Sequence, residues 1–404
     1  MKNYNFDEII SRENTNSLSF DGWRQYMFQM DADAVFPFAD KDYIRLWVAD
    51  MDFSTPPEIL NAIQQRLDRK ILGYTSVYDH TYYQVLSDWF LKRYQWQIKT
   101  DEMVISPGII PALNRLVGLL TEKGDGILIN TPSYTPFKKA GDYNKRTVYY
   151  SDLKNDNGYY TMSFEDIEQQ LNDPEKNIKV FIFCNPHNPS GRVWTKEELL
   201  KIGQLCLDKN IWVISDEIHC DLLRQGNQHI PLARLFPESD RIITCTAPSK
   251  TFNLAGNLVS HIFIPNPEIR AEWQHYYLEF LSPLSVAATQ AAYSECEDWL
   301  EALKVYLDAN FAFLQEKLNE LLPKSQFLIP EATYLAWVNI EEYLHHIENK
   351  SNLTMLFANN GVLVEDGKMF VANGEGHIRI NVACPRSVLE EGIKRIAKTL
   401  NEIS

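Results

Sequence analysis

The sequence has a shortage of basic side chains and contains no long apolar run. Its 404 residues include 39 Lys and Arg against 54 Asp and Glu, which gives a formal net charge of −15. Nucleic acids and anionic membranes are bound by neutralising phosphates, so we expect neither as a partner. No stretch approaches the ~20 apolar residues of a membrane helix, so no membrane span is predicted. An anionic small molecule would have to be bound by a few well-placed groups.

Closely spaced cysteine pairs and the common ligand-binding motifs are also absent. Six cysteines lie far apart without a CxxC pair. This spacing favours reduced core cysteines over disulfides or a zinc site, and with no signal-peptide pattern we expect a cytoplasmic protein. P-loop, HExxH and EF-hand patterns are missing, and we predict no metal site. The absence of a GxGxxG unit argues against an NAD-type oxidoreductase.

What the sequence does contain is an alternation of short apolar runs and helical patterns from about residue 55. Helical patterns cover 56–69, 82–94 and 196–207, the last after the N-cap candidate Thr195. This alternation predicts a mostly parallel α/β sheet covered by helices on both faces. The strand-like runs are 103–106, 126–130, 147–150, 178–184, 211–215, 241–246 and 259–264.

The pattern changes near Ser282 and Pro283, and the length already predicts more than one domain. Two long helical patterns, 285–300 and 301–321, precede β-like runs at 325–328, 334–338 and 377–382 and a closing helix at 386–401. We therefore expect a large domain over 51–284. The segments 1–50 and 285–404 together would form a smaller α+β domain.

Polar residues follow three of the predicted strands, and a glycine that opens a helix follows a fourth, at the strand ends where an open α/β sheet binds its ligands. We expect these residues to meet at one rim of the sheet. They are Gly108, Ile109 and Ile110 after 103–106, Asn188 after 178–184, Asp216 and His219 after 211–215, and Ser249 and Lys250 after 241–246.

This set suits a phosphorylated, electron-withdrawing heterocycle. Gly108 allows the backbone to approach a phosphate at a helix N-terminus, and Lys250 can bond covalently to an aldehyde. Asp216 could keep a pyridine nitrogen protonated. Taken singly, Lys250 could be a surface charge, Asp216 a helix cap and Gly108 a turn. The joint pattern at successive strand ends favours the functional interpretation.

The motifs that carry these residues resemble those of pyridoxal-phosphate enzymes of the aspartate-aminotransferase fold (fold type I). More narrowly, the sequence is similar to the cystathionine β-lyase, or carbon–sulfur lyase, branch. The resemblance spans nearly the whole chain and implies an α/β fold with a mostly parallel central sheet and a smaller α+β domain. The motifs are LWVADMDF (46–53), GYTSVYD (73–79), SPGIIPAL (106–113), NTPSYTPF (130–137), CNPHNPSGRVW (184–194), SDEIHCDL (215–222), APSKTFNLAG (247–256) and HIRINVACPR (377–386).

The resemblance implies roles around the cofactor ring. Lys250 would bond to the cofactor aldehyde and later act as the base at the substrate Cα. Asp216 would pair with the pyridine nitrogen. Asn188 would donate to the phenolic oxygen, with His219 on the same side of the ring, and Tyr134 would stack on the pyridine as part of the catalytic set.

The resemblance also implies contacts to the substrate α-carboxylate and to the cofactor phosphate. Arg379 would bind the substrate α-carboxylate at two points, with Asn188 and the backbone of Ala49 beside it. Tyr74 would reach the phosphate from the second subunit of a homodimer. The cofactor phosphate would otherwise be held by Gly108, Ile109, Ile110 and Ser249. Many relatives carry a cation eight residues after the lysine, where this sequence has Leu258, so less positive charge faces the phosphate.

The resulting expectation is β-elimination of L-cystathionine or L-cysteine to pyruvate, ammonia and a thiol. An aminotransferase of the same family is the main alternative, because both reactions begin with removal of the Cα proton. A pyridoxal-phosphate-binding regulatory protein is a more distant alternative. The intact Lys250, Asp216 and Arg379 argue against lost catalysis.

Overall fold

The computed structural model describes residues 4–276, 280–345 and 352–403, and its centre is a seven-stranded mixed sheet. The strands of the described residues, in chain order, are β1 Ile44–Arg45, β2 Met103–Ser106, β3 Gly126–Thr131, β4 Thr147–Asp152, β5 Lys154–Asp156, β6 Tyr159–Thr161, β7 Ile178–Cys184, β8 Trp212–Asp216, β9 Ile242–Thr246, β10 Ser260–Phe263, β11 Leu335–Asn339, β12 Val362–Leu363, β13 Glu365–Asp366 and β14 His377–Asn381.

The strand order in the large sheet is β2-β10-β9-β8-β7-β3-β4. Strand β10 runs antiparallel to both of its neighbours, and the pairs β9–β8, β8–β7, β7–β3 and β3–β4 are parallel. All seven strand-like runs predicted for this region form strands of this sheet. The prediction of a mostly parallel central sheet is therefore confirmed.

Helices cover both faces of the large sheet, as the continuous apolar strands predict. The α-helices of the described residues are α1 Trp23–Phe28, α2 Pro57–Leu67, α3 His80–Tyr94, α4 Ile109–Leu120, α5 Thr135–Tyr143, α6 Phe164–Asn172, α7 Lys196–Asp208, α8 Leu232–Leu235, α9 Pro248–Thr251, α10 Pro267–Tyr276, α11 Pro283–Glu295, α12 Glu297–Leu321, α13 Leu353–Ala358 and α14 Arg386–Ile403. Short 3-10 turns occupy Asp40–Asp42, Thr100–Glu102, Ala255–Asn257, Glu341–Tyr343 and Gly367–Met369.

Alternating strand residues enter two separate cores. Ile182 and Ile214 pack with α4 and α5 on one face, whereas Phe181 and Val213 pack with α6 and α7 on the other. Thr195 caps α7 as the sequence predicts: its hydroxyl accepts from the Glu198 N–H, and the Glu198 side chain accepts from the Thr195 N–H. The cap thus fixes where α7 begins, and the buried strand residues fix which helices pack on each face of the sheet.

A second, smaller assembly contains the three-stranded sheet β11-β14-β13 and the long helices α12 and α14. The N-terminal segment joins it, because β1 pairs in parallel with β12. Tyr334 OH also donates to the carbonyl of Ala49 at 3.1 Å, which links this assembly to the segment that enters the large sheet region.

Two predicted elements of this part are wrong in detail. The boundary between the long helices lies at Cys296 rather than at 300, because Cys296 (φ −108°, ψ 17°) leaves the helical conformation. The expected strand at 325–328 is reduced to one bridge between Gln326 and Asn339. The pairing does not extend to 325, because the N–H of the facing residue, Ile340, donates instead to the carbonyl of Gly376 at 2.7 Å.

All six cysteines are buried and free of disulfides. No helix within 4–276, 280–345 or 352–403 has the length and apolar character needed to cross a membrane.

Helix α12 provides a test of the core. Leu307 is fully buried, whereas the side chain of Val305 on the same helix is 70% exposed. We expect Leu307→Ala to lower the stability by about 2–5 kcal/mol, since it leaves a cavity. Val305→Ala should change it by about 0.5 kcal/mol or less. Urea unfolding followed by circular dichroism measures both, and equal shifts would contradict this packing.

Candidate functional site

The residues predicted to meet at the strand ends line one cavity of about 320 Å³. This volume is in the range of small-molecule sites. The carboxyl ends of β7, β8 and β9 open onto it because these strands are parallel neighbours. The sequence-predicted residues in its lining are Ala49, Gly108, Ile109, Ile110, Tyr134, Asn188, Asp216, His219, Ser249 and Lys250.

Lys250 reaches the cavity from the short helix α9, which follows β9 directly. Its Nζ donates to the carbonyl oxygen of Ala49 at 2.6 Å. Burial lowers the pKa of Lys250 to about 8, an effect opposed by Asp50 and reinforced by Arg379. A larger fraction of this amine is therefore neutral and nucleophilic near neutral pH than for an ordinary lysine.

Asp216 ends β8, and its Oδ1 accepts from the N–H of Ile218 at 3.1 Å. Burial raises the pKa of Asp216 to about 7, and the neighbouring Glu217 adds to this increase. A cation placed next to Asp216 would favour its ionised form. The carboxylate is therefore suited to a protonated ring nitrogen.

His219 and Tyr134 supply further ring-facing groups. His219 is buried, and its Nδ1 has no hydrogen-bond partner among the described residues. Burial lowers the pKa of His219 to about 3, so the imidazole is neutral. Tyr134 immediately precedes α5, and burial raises the pKa of its phenol, so it is also neutral. The unsatisfied His219 nitrogen fits a site that a polar ring completes.

The end of the cavity formed by the start of α4 has the features of a phosphate site. Gly108 adopts φ 128°, a conformation that favours glycine, at the start of the twelve-residue helix α4. Ile109 and Ile110 form the first turn of that helix, and Ser249 faces the same cavity. Leu258 also lines it, and Lys250 is the only Lys or Arg among the described lining residues. Helix N–H groups and hydroxyls thus dominate this end.

Arg379 lies behind this lining, in β14, and is joined to it through Asn188. Its Nη1 donates to Asn188 Oδ1 at 3.1 Å, and its Nη2 donates to the carbonyl of Trp47 at 3.4 Å. Asn188 therefore keeps its NH₂ group as the donor that it can offer to a ligand. Arg379 also forms an ion pair with Glu365, a buried residue of β13.

Sequence reasoning did not find Glu365 or Tyr334. Glu365 faces Arg379 because β13 and β14 pair antiparallel with these two residues in register. An acidic residue directly after the apolar run at 362–364 was the available signal. Tyr334 shares the Ala49 carbonyl with Lys250 and makes an edge contact with His219.

One predicted residue lies outside the cavity. Tyr74 is 93% exposed and is not part of the lining, and its ring packs 5.2 Å from that of Phe280. The single chain therefore does not bring Tyr74 to the phosphate end.

The lowered pKa of Lys250 predicts a pH dependence. Since only the neutral amine attacks an aldehyde, covalent labelling of cofactor-free protein should increase with a midpoint near pH 8, below the ordinary value of 10.5. Asp50→Asn should lower the midpoint further, because Asp50 stabilises the charged amine. Mass spectrometry after borohydride reduction identifies the labelled lysine. A midpoint at the ordinary lysine value would refute this desolvation.

Three comparisons show which known proteins this chain is similar to. The family model "Aminotransferase class I and II" matches residues 41–396. The chain is 36% identical to cystathionine beta-lyase PatB of Bacillus subtilis, over 98% of this chain and all of that protein. The structure of a PLP-bound C-S lyase from Staphylococcus hominis superposes with a TM-score of 0.93 and 46% identity, covering 99% of this chain and 98% of that one.

Cystalysin from Treponema denticola, whose structure contains pyridoxal 5'-phosphate, superposes with a TM-score of 0.90 and 33% identity over the whole of both chains. The family match and the similar structures, two of which contain bound pyridoxal phosphate, are consistent with the cavity described above. The chain belongs to the class I and II aminotransferase family.

Proposed function

We propose that this chain is a pyridoxal-phosphate-dependent carbon–sulfur β-lyase that acts on L-cystathionine or L-cysteine. The observation that carries the proposal is that a desolvated Lys250 and a buried Asp216 line the same cavity. Relatives named as cystathionine β-lyases and PLP-bound C-S lyases match over nearly the whole chain. The site chemistry supports a pyridoxal-phosphate enzyme, and the names of these relatives favour β-elimination over transamination.

The residues of the cavity fit pyridoxal phosphate. When bound, this cofactor supplies an electron-withdrawing ring that stabilises negative charge at the substrate Cα. Lys250 would hold its aldehyde carbon, and Asp216 would accept a hydrogen bond from its protonated ring nitrogen. Asn188, His219 and Tyr134 would fix the ring plane. The phosphate would be held by Gly108, Ile109, Ile110 and Ser249.

The substrate is positioned by the chain around its Cα. Arg379 would bind the α-carboxylate, and Asn188 would hold the guanidinium through the existing 3.1 Å contact. The neutral Nζ of Lys250 would take the Cα proton. The Cβ–S bond then breaks, and sulfur leaves with the bonding electrons as a thiolate that takes up a proton. With one water consumed, cystathionine yields homocysteine, pyruvate and ammonia.

Product analysis tests the reaction. Holoenzyme mixed with L-cystathionine should release free thiol and pyruvate in equal amounts, and Lys250→Ala should lose at least about 10³-fold in rate because the base is removed. A 2-oxo acid that retains the thioether, formed with pyridoxamine phosphate, would identify an aminotransferase instead. Negligible turnover alongside tight binding of a partner protein would identify a regulatory protein.

We also propose a homodimer in which Tyr74 completes the phosphate site of the other subunit. Tyr74 projects from the surface with Ile71 and Leu72, which are 72% and 59% exposed, and with Phe280 beside them. Contiguous apolar side chains on a surface mark an interaction site. The start of α4 supplies N–H groups, and Lys250 is the one Lys or Arg among the described lining residues, which supports the need for a further donor.

Mixed subunits test this arrangement. Tyr74→Phe should weaken cofactor binding, and Tyr78→Phe, at another exposed tyrosine of the same loop, should leave it unchanged. Co-expression of Tyr74→Phe with Lys250→Ala should restore tight cofactor binding and turnover, because one site of the hybrid dimer contains Lys250 from one chain and Tyr74 from the other. Hybrids with no recovery would place Tyr74 in its own subunit's site or outside the site.

The domain division belongs to the same proposal. We propose 51–284 as the cofactor-binding domain, with 1–50 and 285–404 as the smaller one. The parallel pairing of β1 with β12 supports the union of the two terminal segments. The six buried cysteines form no disulfide, which supports a reducing, cytoplasmic location.

A further inference from the structure

The residue that follows the proposed catalytic lysine is bound to a buried carboxylate. Thr251 ends α9, directly after Lys250, and is fully buried. Its hydroxyl donates to Oδ2 of Asp221 at 2.9 Å. Asp221 lies in the segment after β8, two residues beyond His219, and is 3% exposed. Neither Thr251 nor Asp221 lines the cavity, so their contact lies behind it.

The two carboxylate oxygens of Asp221 contact different helices. Oδ1 accepts from Nε1 of Trp89 at 3.1 Å and from the hydroxyl of Tyr94. The Nε of Arg93 lies 3.2 Å from the same oxygen, and all three partners belong to the fifteen-residue helix α3. Oδ2 accepts from Thr251 of α9. One carboxylate therefore bridges a long helix and the short turn that follows β9.

Helix α9 has few other contacts that set its orientation. It has four residues and no side-chain cap, and so short a helix has little intrinsic stability. Among the residues that the structure describes, its side chains donate two hydrogen bonds, from Thr251 to Asp221 and from Lys250 to Ala49. The second involves the reacting amine and changes when that amine bonds to the cofactor or takes up a proton. The contact with Asp221 involves no reacting group.

The next residue provides a second contact between α9 and α3. Phe252 is fully buried, and its ring centroid lies 5.7 Å from that of Trp89. The ring contact limits the distance between the two helices, and the hydrogen bond of Thr251 limits rotation of α9 about its axis. Such a rotation would move Nζ of Lys250, and a displacement of about 1 Å at a reacting group can cost about 10²-fold in rate.

We propose that Asp221 is a positioning residue, which acts through Thr251 to hold the Lys250 amine where it can take the Cα proton. This inference rests on the proposed lyase function only in its use of Lys250 as the base. A buried carboxylate is unfavourable unless it is paired and hydrogen-bonded. Arg93 and the donors of α3 and α9 provide those partners, so Asp221 can form this bridge as a carboxylate.

Removal of one hydroxyl tests this role. Thr251→Val keeps the shape of the side chain and removes the donor to Asp221. Holoenzyme should then lose about 10- to 100-fold in kcat with L-cystathionine, while KM changes less than about threefold. Thr251→Ser should recover most of the rate because it restores the hydroxyl. Asp221→Asn should cause a similar loss, since one acceptor oxygen cannot serve both helices.

Exchange of the Cα proton of L-alanine for deuterium isolates the step that Lys250 performs. This exchange needs the base but no leaving group, and NMR measures its rate. In Thr251→Val holoenzyme the exchange rate should fall by the same factor as kcat. Thr399 is also buried, and its hydroxyl donates to Arg395 within α14. The control Thr399→Val should therefore keep kcat and exchange within about twofold of wild type.

A measurement without cofactor separates positioning from stability. In cofactor-free Thr251→Val, the midpoint for labelling of Lys250 by pyridoxal should move from near pH 8 toward the ordinary value of 10.5, because a loosely held amine is less desolvated. Thr399→Val should leave that midpoint unchanged. Thermal unfolding of both variants, each of which lacks one buried hydrogen bond, records the loss of stability separately.

The outcomes distinguish this inference from the proposed function. Wild-type exchange and labelling in Thr251→Val, or an equal loss in Thr251→Ser, would refute the positioning role. Should Thr251→Val not fold, unchanged exchange and labelling in Asp221→Asn would refute it. If wild type exchanges the alanine proton but releases no thiol from cystathionine, the lyase function fails, and the exchange rates of the variants still decide the role of Asp221.

Discussion

The removal of water from four charged side chains is the constraint on which the rest of the site depends. Asp216, Glu365 and Arg379 are buried and Lys250 is half-buried, and these groups influence one another electrostatically. Burial lowers the pKa of the lysine and raises those of the two carboxyl groups, so each group is closer to proton exchange near neutral pH. A cofactor and a substrate of complementary charge would supply the counter-charges that these groups lack in the protein alone.

The fold supplies this arrangement through strand direction. Parallel β7, β8 and β9 deliver Asn188, Asp216 and Lys250 to the same edge of the sheet, and the start of α4 faces them with free N–H groups. The smaller assembly adds Arg379 and Glu365 from its own sheet. An acidic chain can in this way bind two anionic groups with one lysine, one arginine and a helix N-terminus. The net charge of −15 then reflects groups elsewhere in the protein.

Much of the large sheet could be predicted from sequence because its strands, apart from the edge strand β4, are apolar runs whose side chains are largely buried on both faces. The convergence of Gly108, Asn188, Asp216 and Lys250 followed from the polar residues at the ends of these runs. The resemblance to a family supplied the roles of residues distant in sequence, such as Arg379. These roles remain proposals that the arrangement supports.

What sequence could not provide depends on pairing between distant segments. The contact of Glu365 with Arg379 requires the register of two short strands, and β13 has only two residues, too few for a periodic signal. The helix boundary at Cys296 depends on one residue's backbone conformation within a continuous helical pattern. The run at 325–328 has strand-like composition, but it forms only one bridge, to the last residue of β11.

A crystal structure of the chain with pyridoxal phosphate and a non-cleavable cystathionine analogue would test most directly whether these buried groups form one catalytic centre. We predict the cofactor ring between Tyr134 and the floor of the cavity, with its nitrogen on Asp216 and Lys250 Nζ within reach of the ligand Cα. The ligand carboxylate should occupy Arg379. A cofactor bound outside this cavity, or a ligand carboxylate held elsewhere while Arg379 stays with Glu365, would contradict the account.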